Sequence, residues 1–210
     1  HSMSLRKEIT RHKNKIHAIL LRNGIKHRYT DMFGMKGMRF LRELNLRDSE
    51  KYNLESHLNI VESLLEENKK TTKKIEDLCK DNKQAMLLTS IIGISYYGAM
   101  IIITETGDIT RFPNPKKLCN YAGLAPRTIQ SGNHMYHGRI LKECNQNLKW
   151  ILNQCVHIHI RRCPDSSITK LYHRVKNKKG NNKATVAASR KMLTCMWHML
   201  MKNETFKYTN

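Results

Sequence analysis

Apolar residues recur along this chain at helical spacing almost throughout. Between residues 5 and 23, Leu5, Ile9, Ile16, Ile19 and Leu20 fall on one side of a helix whose other side is basic. Gly24 stands where such a helix is commonly closed. A loop from Tyr29 to Gly37 and a short helix near residues 38–44 come next. Asp48 or Ser49 then caps a long helix with Glu50 in its first turn. That helix has the clearest period in the chain: Leu54, Leu58, Val61, Leu65, Asn68, Thr72, Ile75 and Cys79 alternate steps of four and three. This is a heptad seam flanked by Glu and Lys, with two polar positions of the kind that set register and partner number. It predicts either self-association through residues 54–79 or a long helix packed within a bundle.

Asp81-Asn82 ends or bends the seam. Beyond it, Met86 to Gly107 reads as a short apolar helix, a glycine turn at Gly93 and a second apolar helix, the outline of a helix-hairpin-helix. Ser95 stands where a second glycine is usual, so a buried helical hairpin fits equally well. Pro115 opens a helix through Tyr121, which Gly123-Leu-Ala-Pro126 ends. Residues 127–139 are polar and punctuated by glycine, and predict a loop with Arg127 and Arg139 at its ends. A helix over 140–162 follows, then one from Pro164-Asp165 to Val175, a basic loop over 176–183 and a last helix over 184–202. No alternating strand pattern competes. The expectation is an all-α protein: a cloning remnant (1–3), a basic helix and coiled-coil region (4–84), and a compact helical domain with a helix-hairpin-helix-like opening (85–210).

Charge changes this picture most. The 210 residues hold 38 Lys+Arg against 17 Asp+Glu, a net charge of +21. Residues 4–48 have 12 basic and 4 acidic side chains, residues 49–84 have 7 and 8, and residues 111–183 have 15 and only 2. An ordinary solvated surface mixes the two signs, so so one-sided a segment points to a polyanionic partner. No stretch approaches the ~18 apolar residues of a membrane span. The six cysteines are scattered through helical contexts and read as reduced. On one helix Cys155, His159 and Cys163 share a face, which leaves zinc ligation open beside the plainer reading of core thiols with polar-face histidines.

The string from Gly107 to Pro126, with Gln130-Ser-Gly132, Gly138-Arg-Ile140 and Lys183 to Lys191, resembles the C-terminal domain of the bridge-RNA-guided insertion-sequence transposases, relatives of the Piv invertase. The basic first helix and the heptad segment resemble that family's linking coiled coil. The resemblance implies a DNA transposase or site-specific recombinase fragment that binds DNA and a guide RNA. It also implies that an N-terminal ribonuclease-H-like domain with four acidic ligands, where Mg²⁺ would sit, is missing here, and that the chain alone is inactive. Glu143-Cys144-Asn145 departs from the family's more basic pattern. A homodimer through 54–79, a tetramer on synapsis and a prokaryotic cytoplasmic, nucleoid-associated location also follow from the resemblance.

The same resemblance places a serine nucleophile at Ser131. The residues agree on their own terms. A nucleophilic serine needs exposure and electropositive company, and Ser131 lies beside Gly132 between Arg127 and Arg139, whose guanidiniums suit phosphate oxygens. Its general base stays open: His134 and His137 are near enough to move protons, and Tyr136 is an alternative nucleophile. Lys142, Lys149, Arg161, Arg162, Arg174, Lys176, Lys178, Lys179 and Lys183 are expected to contact nucleic-acid backbones, together with Arg127 and Arg139. The competing reading is a non-catalytic nucleic-acid-binding and oligomerisation module.

Overall fold

The computed structural model describes residues 1–131, 134–140 and 143–207, with the backbone alone for 126–131 and 134–140. Among the described residues there are nine α-helices and one two-stranded antiparallel hairpin, so the architecture is all-α as expected. The chain divides into two compact units, residues 1–74 and 75–210.

In the first unit, α1 (Ser2–Arg22), α2 (Met35–Glu43) and the greater part of α3 (Asp48–Asp81) bury one apolar cluster. The chain turns after α1 at Gly24, where Ile25 N–H returns to the Leu20 carbonyl. Lys51 Nζ donates to the Arg42 and Leu44 carbonyls, satisfying the open end of α2. Arg22 pairs with Glu50 at 3.2 Å and His12 Nδ1 lies 3.2 Å from His57 Nδ1, so α1 and α3 run antiparallel.

This pairing fits the second reading of the seam, a long helix packed within a bundle, over its first half. Leu54, Leu58 and Val61 are fully buried against Ile16, Ile19, Leu20 and Leu41 of the same chain. Cys79, at the far end of the seam, is fully buried in the core of the second unit. The heptad spacing is therefore filled at both ends within the chain, because the basic helix α1 brings an apolar face of its own. Leu65 alone among the seam's leucines is exposed, and the Asn68 side-chain oxygen is buried without a hydrogen-bond partner.

The second unit is built on α9 (Asn181–Lys202), which packs against α4 (Lys83–Leu88), α6 (Pro115–Tyr121), α7 (Gln146–Arg162), α8 (Ser167–Lys179) and the 3₁₀ turn Ile109–Arg111. The helix from Pro115 has the bounds its proline and glycine predict. Two other expectations fail. Residues 176–183 are not a loop: α8 runs to Lys179 and α9 starts at Asn181, with Gly180 at φ +81 making the whole break. The chain needs a left-handed residue there and no more. Likewise α7 starts at Gln146 rather than at 140, because Asn145 caps it by accepting from Leu148 N–H at 2.9 Å.

The helix-hairpin-helix-like opening becomes α4, a turn and α5 (Tyr96–Thr106), with Ser95 as the N-cap of α5. The turn presses on α7. Gly93, at φ +104, comes so close that a Cβ there would lie 2.8 Å from the Cys155 carbonyl oxygen and 2.9 Å from His159 N. Beside it the buried His159 donates from Nδ1 to the Ile92 carbonyl at 2.7 Å, and its Nε2 lies 2.8 Å from Ser166 Oγ. Ser166 Oγ accepts from Thr169 N–H, and Thr169 Oγ1 donates to the Cys163 carbonyl at 2.7 Å. Both imidazole nitrogens are thus in use, and burial pushes the Cys155 thiol up to about 12. Among the described residues no group of His, Cys, Asp and Glu is placed to hold a metal ion.

Leu58→Ala should destabilise the first unit by about 2–5 kcal/mol, as for other fully buried leucines. Leu65→Ala should cost below about 1 kcal/mol. Denaturant unfolding checks both, at several protein concentrations. A Leu58 penalty that vanished on dilution would put this leucine in an intermolecular seam instead. A second expectation concerns pH. Burial lowers the His159 pKa below its ordinary 6.5, outweighing the bond to Ile92. Its stabilising contribution is therefore complete above that value and drains away as pH falls through the depressed one. The unfolding midpoint should drop on acidification below pH ~6.5, and less steeply in His159→Gln.

Candidate nucleic-acid interface

Helix α6 ends with Leu124 N–H returned to the Cys119 carbonyl, and Leu124 is buried. The chain then enters β1 (Pro126–Ser131) and returns along β2 (His134–Ile140). The strands pair antiparallel with Ser131 opposite His134, Gln130 opposite Met135, Ile129 opposite Tyr136 and Thr128 opposite His137. A register shift lies between Pro126 and Thr128. The predicted loop over 127–139 is therefore a hairpin. Thr128, Ile129 and Tyr136 carry its strand propensity, too short a run for alternation to show among so many polar neighbours.

Ser131 is the last residue of β1, and the register brings His134 opposite it and His137 opposite Thr128. Arg127 lies in β1, and Arg139 and Tyr136 in β2. Lys142 lies outside the described residues.

The base of the hairpin is held by hydrogen bonds. Asn145 N–H donates to the Tyr121 carbonyl at 2.9 Å, joining the chain just before β1 to the chain just after β2. Asn145 Nδ2 donates to Glu105 Oε2 at 2.7 Å and Asn147 Nδ2 to Glu105 Oε1 at 2.8 Å. Tyr121 Oη donates to the Glu105 carbonyl at 3.1 Å. On the outer side Arg111 is exposed, its guanidinium 4.6 Å from the Phe112 ring centre and 4.8 Å from that of Tyr121. Stacking of this kind orients a guanidinium while leaving its N–H edge free for a phosphate. Arg111 entered the sequence reading only as one charge in a basic segment. Two aromatic residues that meet it from positions 112 and 121 give no sequence signal until the fold is known.

The other predicted contacts divide into two groups. Lys149 is half-buried on α7, and Arg161 and Arg162 are exposed in its last turn. Arg174, Lys176, Lys178 and Lys179 are exposed on α8, and Lys183 lies exposed in the first turn of α9. Among the described residues none of these eight makes an ion pair with a carboxylate. The lysines that end α8 also sit well against the negative end of its dipole. No helix among the described residues is long and apolar enough to cross a membrane.

A family model described as "Transposase IS116/IS110/IS902 family" matches residues 85–173. The chain is similar to the transposase for insertion sequence element IS1111A of Coxiella burnetii, 27% identical over 64% of this chain and 37% of that protein. It is 33% identical, over 36% of its length, to 19% of an uncharacterized 43.6 kDa protein of insertion element IS110 from Streptomyces coelicolor. It is 29% identical, over 60% of its length, to 39% of the pilin gene-inverting protein of Moraxella bovis. The aligned part thus spans less than half of each of these relatives.

Replacing Lys176, Lys178 and Lys179 together by Ala should weaken binding to duplexes of any sequence by a similar factor. Titrations over a salt series should show the slope of log K against log salt shallower by up to about 0.9 for each lysine that neutralises a phosphate. An unchanged slope would remove the end of α8 from the interface.

Proposed function

We propose that this chain carries the serine-bearing, nucleic-acid-handling segment of an insertion-sequence transposase or site-specific recombinase. The observation that carries the reading is the position of Ser131. It closes β1 at the last register pair of the one described hairpin, within the stretch that matches the transposase family model.

In this reading Ser131 Oγ attacks a DNA phosphorus. One P–O bond to the serine forms as one P–O bond to a deoxyribose oxygen breaks, and the leaving hydroxyl takes up a proton. A hydroxyl of another strand then displaces the serine, which regains its proton, so phosphodiester bonds are exchanged without net hydrolysis. A serine hydroxyl is a poor nucleophile unassisted. A Mg²⁺ held by carboxylates would supply that assistance by lowering the hydroxyl's pKa. The carboxylates described here do not group for that task. Arg111 and the basic side chains of α7 and α8 hold the DNA backbone, a guide RNA supplies sequence choice, and strand exchange requires more than one copy of the chain. Leu54, Leu58 and Val61 are consumed within the chain, so contacts between copies fall elsewhere than on the first half of the predicted seam.

The test uses the longest reading frame that encodes this chain, with Mg²⁺, guide RNA and labelled donor DNA. Wild type should form a protein–DNA adduct that survives denaturation, and Ser131→Ala should form none while keeping its DNA affinity. An adduct that persists in Ser131→Ala would move the nucleophile elsewhere and leave the chain as a binding and assembly module.

A further inference from the structure

We infer that Glu105 is a positioning residue for the Ser131 hairpin, an inference that rests on the reading of Ser131 as nucleophile. Glu105 lies in the last turn of α5. Its two carboxylate oxygens are divided between two amides, one from Asn145 and one from Asn147, and its own carbonyl accepts from Tyr121 Oη. Tyr121 and Asn145 are the residues through which the chain leaves for β1 and comes back from β2. They are bonded to each other by the Asn145 N–H to Tyr121 carbonyl bond, and again by Asn145 Nδ2 to Tyr121 Oη at 3.0 Å. The Glu105 carboxylate therefore holds the returning foot, at Asn145 and Asn147, while the backbone carbonyl of the same residue holds the departing foot at Tyr121.

The residue type suits the task. A carboxylate offers only acceptors, so it can receive both amides at once. Asn145 has no freedom to turn its amide over, because its Oδ1 is already the cap of α7. Asn145 and Asn147 stand at the N-terminal end of α7, where the helix dipole favours a negative charge. The setting makes the carboxylate conspicuous. From residue 111 to 183 basic side chains outnumber acidic ones 15 to 2, yet among the described residues no Lys or Arg forms an ion pair with Glu105. Its bonds go to the hairpin's feet instead. Misplacing a reacting group by about 1 Å can cost 10²-fold in rate, so a carboxylate that sets the hairpin's foothold acts on the rate of strand cleavage while touching no DNA.

The experiment compares Glu105→Ala, Glu105→Gln and Asn147→Ala with wild type in the same full-length recombinase, read by three measurements. Glu105→Ala should slow adduct formation by about ten- to a hundredfold with DNA affinity unchanged. It should also raise amide hydrogen exchange in β1 and β2 at least tenfold, leaving exchange in α8 and α9 as it was. Glu105→Gln keeps an acceptor for Asn145 and can donate to a turned-over Asn147, so it should restore most of both. Asn147→Ala, which removes one bond and leaves the carboxylate, should fall between and covers the case in which Glu105→Ala does not fold. Normal adduct rates and normal hairpin exchange in Glu105→Ala, alongside a dead Ser131→Ala, would overturn the positioning role and leave the nucleophile in place. If Ser131→Ala still forms adduct, the reading of Ser131 fails and this role fails with it, whatever the exchange data show about the hairpin.

Discussion

The second unit depends on one close approach, where the turn before α5 meets the backbone of α7. At Gly93 the two chains are separated by less than a side chain needs, and this contact fixes how α5 lies along α7. Gly93 faces Cys155 and His159, Gly98 faces Ile151 and Cys155, and Glu105 reaches Asn145 and Asn147. The numbers fall on α7 as they rise on α5, so the helices are antiparallel and a single register serves the whole length. A larger residue at 93 would have to lift α5 or slide it. Either movement would carry Glu105, 12 residues further along the chain, away from the start of α7 and so loosen the base of the hairpin. The buried His159 reinforces this register from the same end, since its Nδ1 bonds the Ile92 carbonyl only while the turn stays seated.

A chain with this surplus of positive charge must limit its self-repulsion. The first unit does so by pairing. Arg22 with Glu50, Arg42 with Glu62 and Lys51 with Glu55 set basic against acidic side chains on the helices that pack there. The second unit does so by spacing. Most of its basic residues stand at helix ends and on exposed faces, where water screens them; of its few acids Asp77 and Glu204 pair with the neighbouring Lys80 and Lys207, while Glu105 and Asp108 are engaged with amide and backbone groups. Asp108 is an example: its carboxylate accepts from Thr110 N–H, which, ahead of the nearby Arg111, holds its pKa below the ordinary carboxylate value.

What the sequence made legible were features written in single residues or short spacings. Pro115 at a first helical turn, Gly24 after α1, Asp81-Asn82 between α3 and α4 and the apolar face of α1 all read correctly, because each reflects local backbone chemistry. The seam over 54–79 shows the limit of periodicity. A four-three alternation says that a helix buries one face, and is silent on whether the covering face comes from the same chain. Here Ile16, Ile19 and Leu20 supply it. The start of α7 was misplaced for a related reason: apolar residues at 140 and 141 extend the helical pattern backwards, and the capping role of Asn145 overrides them. The clamp itself was illegible, since residues 105, 121, 145 and 147 come together only through the register that Gly93 sets.

The hairpin is where these constraints converge. A two-stranded ribbon is at best marginally stable in water by itself, and β1 and β2 form such a ribbon, with no third strand among the described residues. Its own cross-strand pairs, each worth about 0.2–1 kcal/mol, cannot hold a reacting group to fractions of an ångström. Order must come from the two feet. Tyr121 and Asn145 are fixed to each other and to Glu105, and Leu124 is sunk in the core just before β1 begins. A ribbon pinned at its base carries Ser131 at its far pair. The bonds that hold its two ends thus belong to the helical core, with the Glu105 carboxylate among them, rather than to the strands.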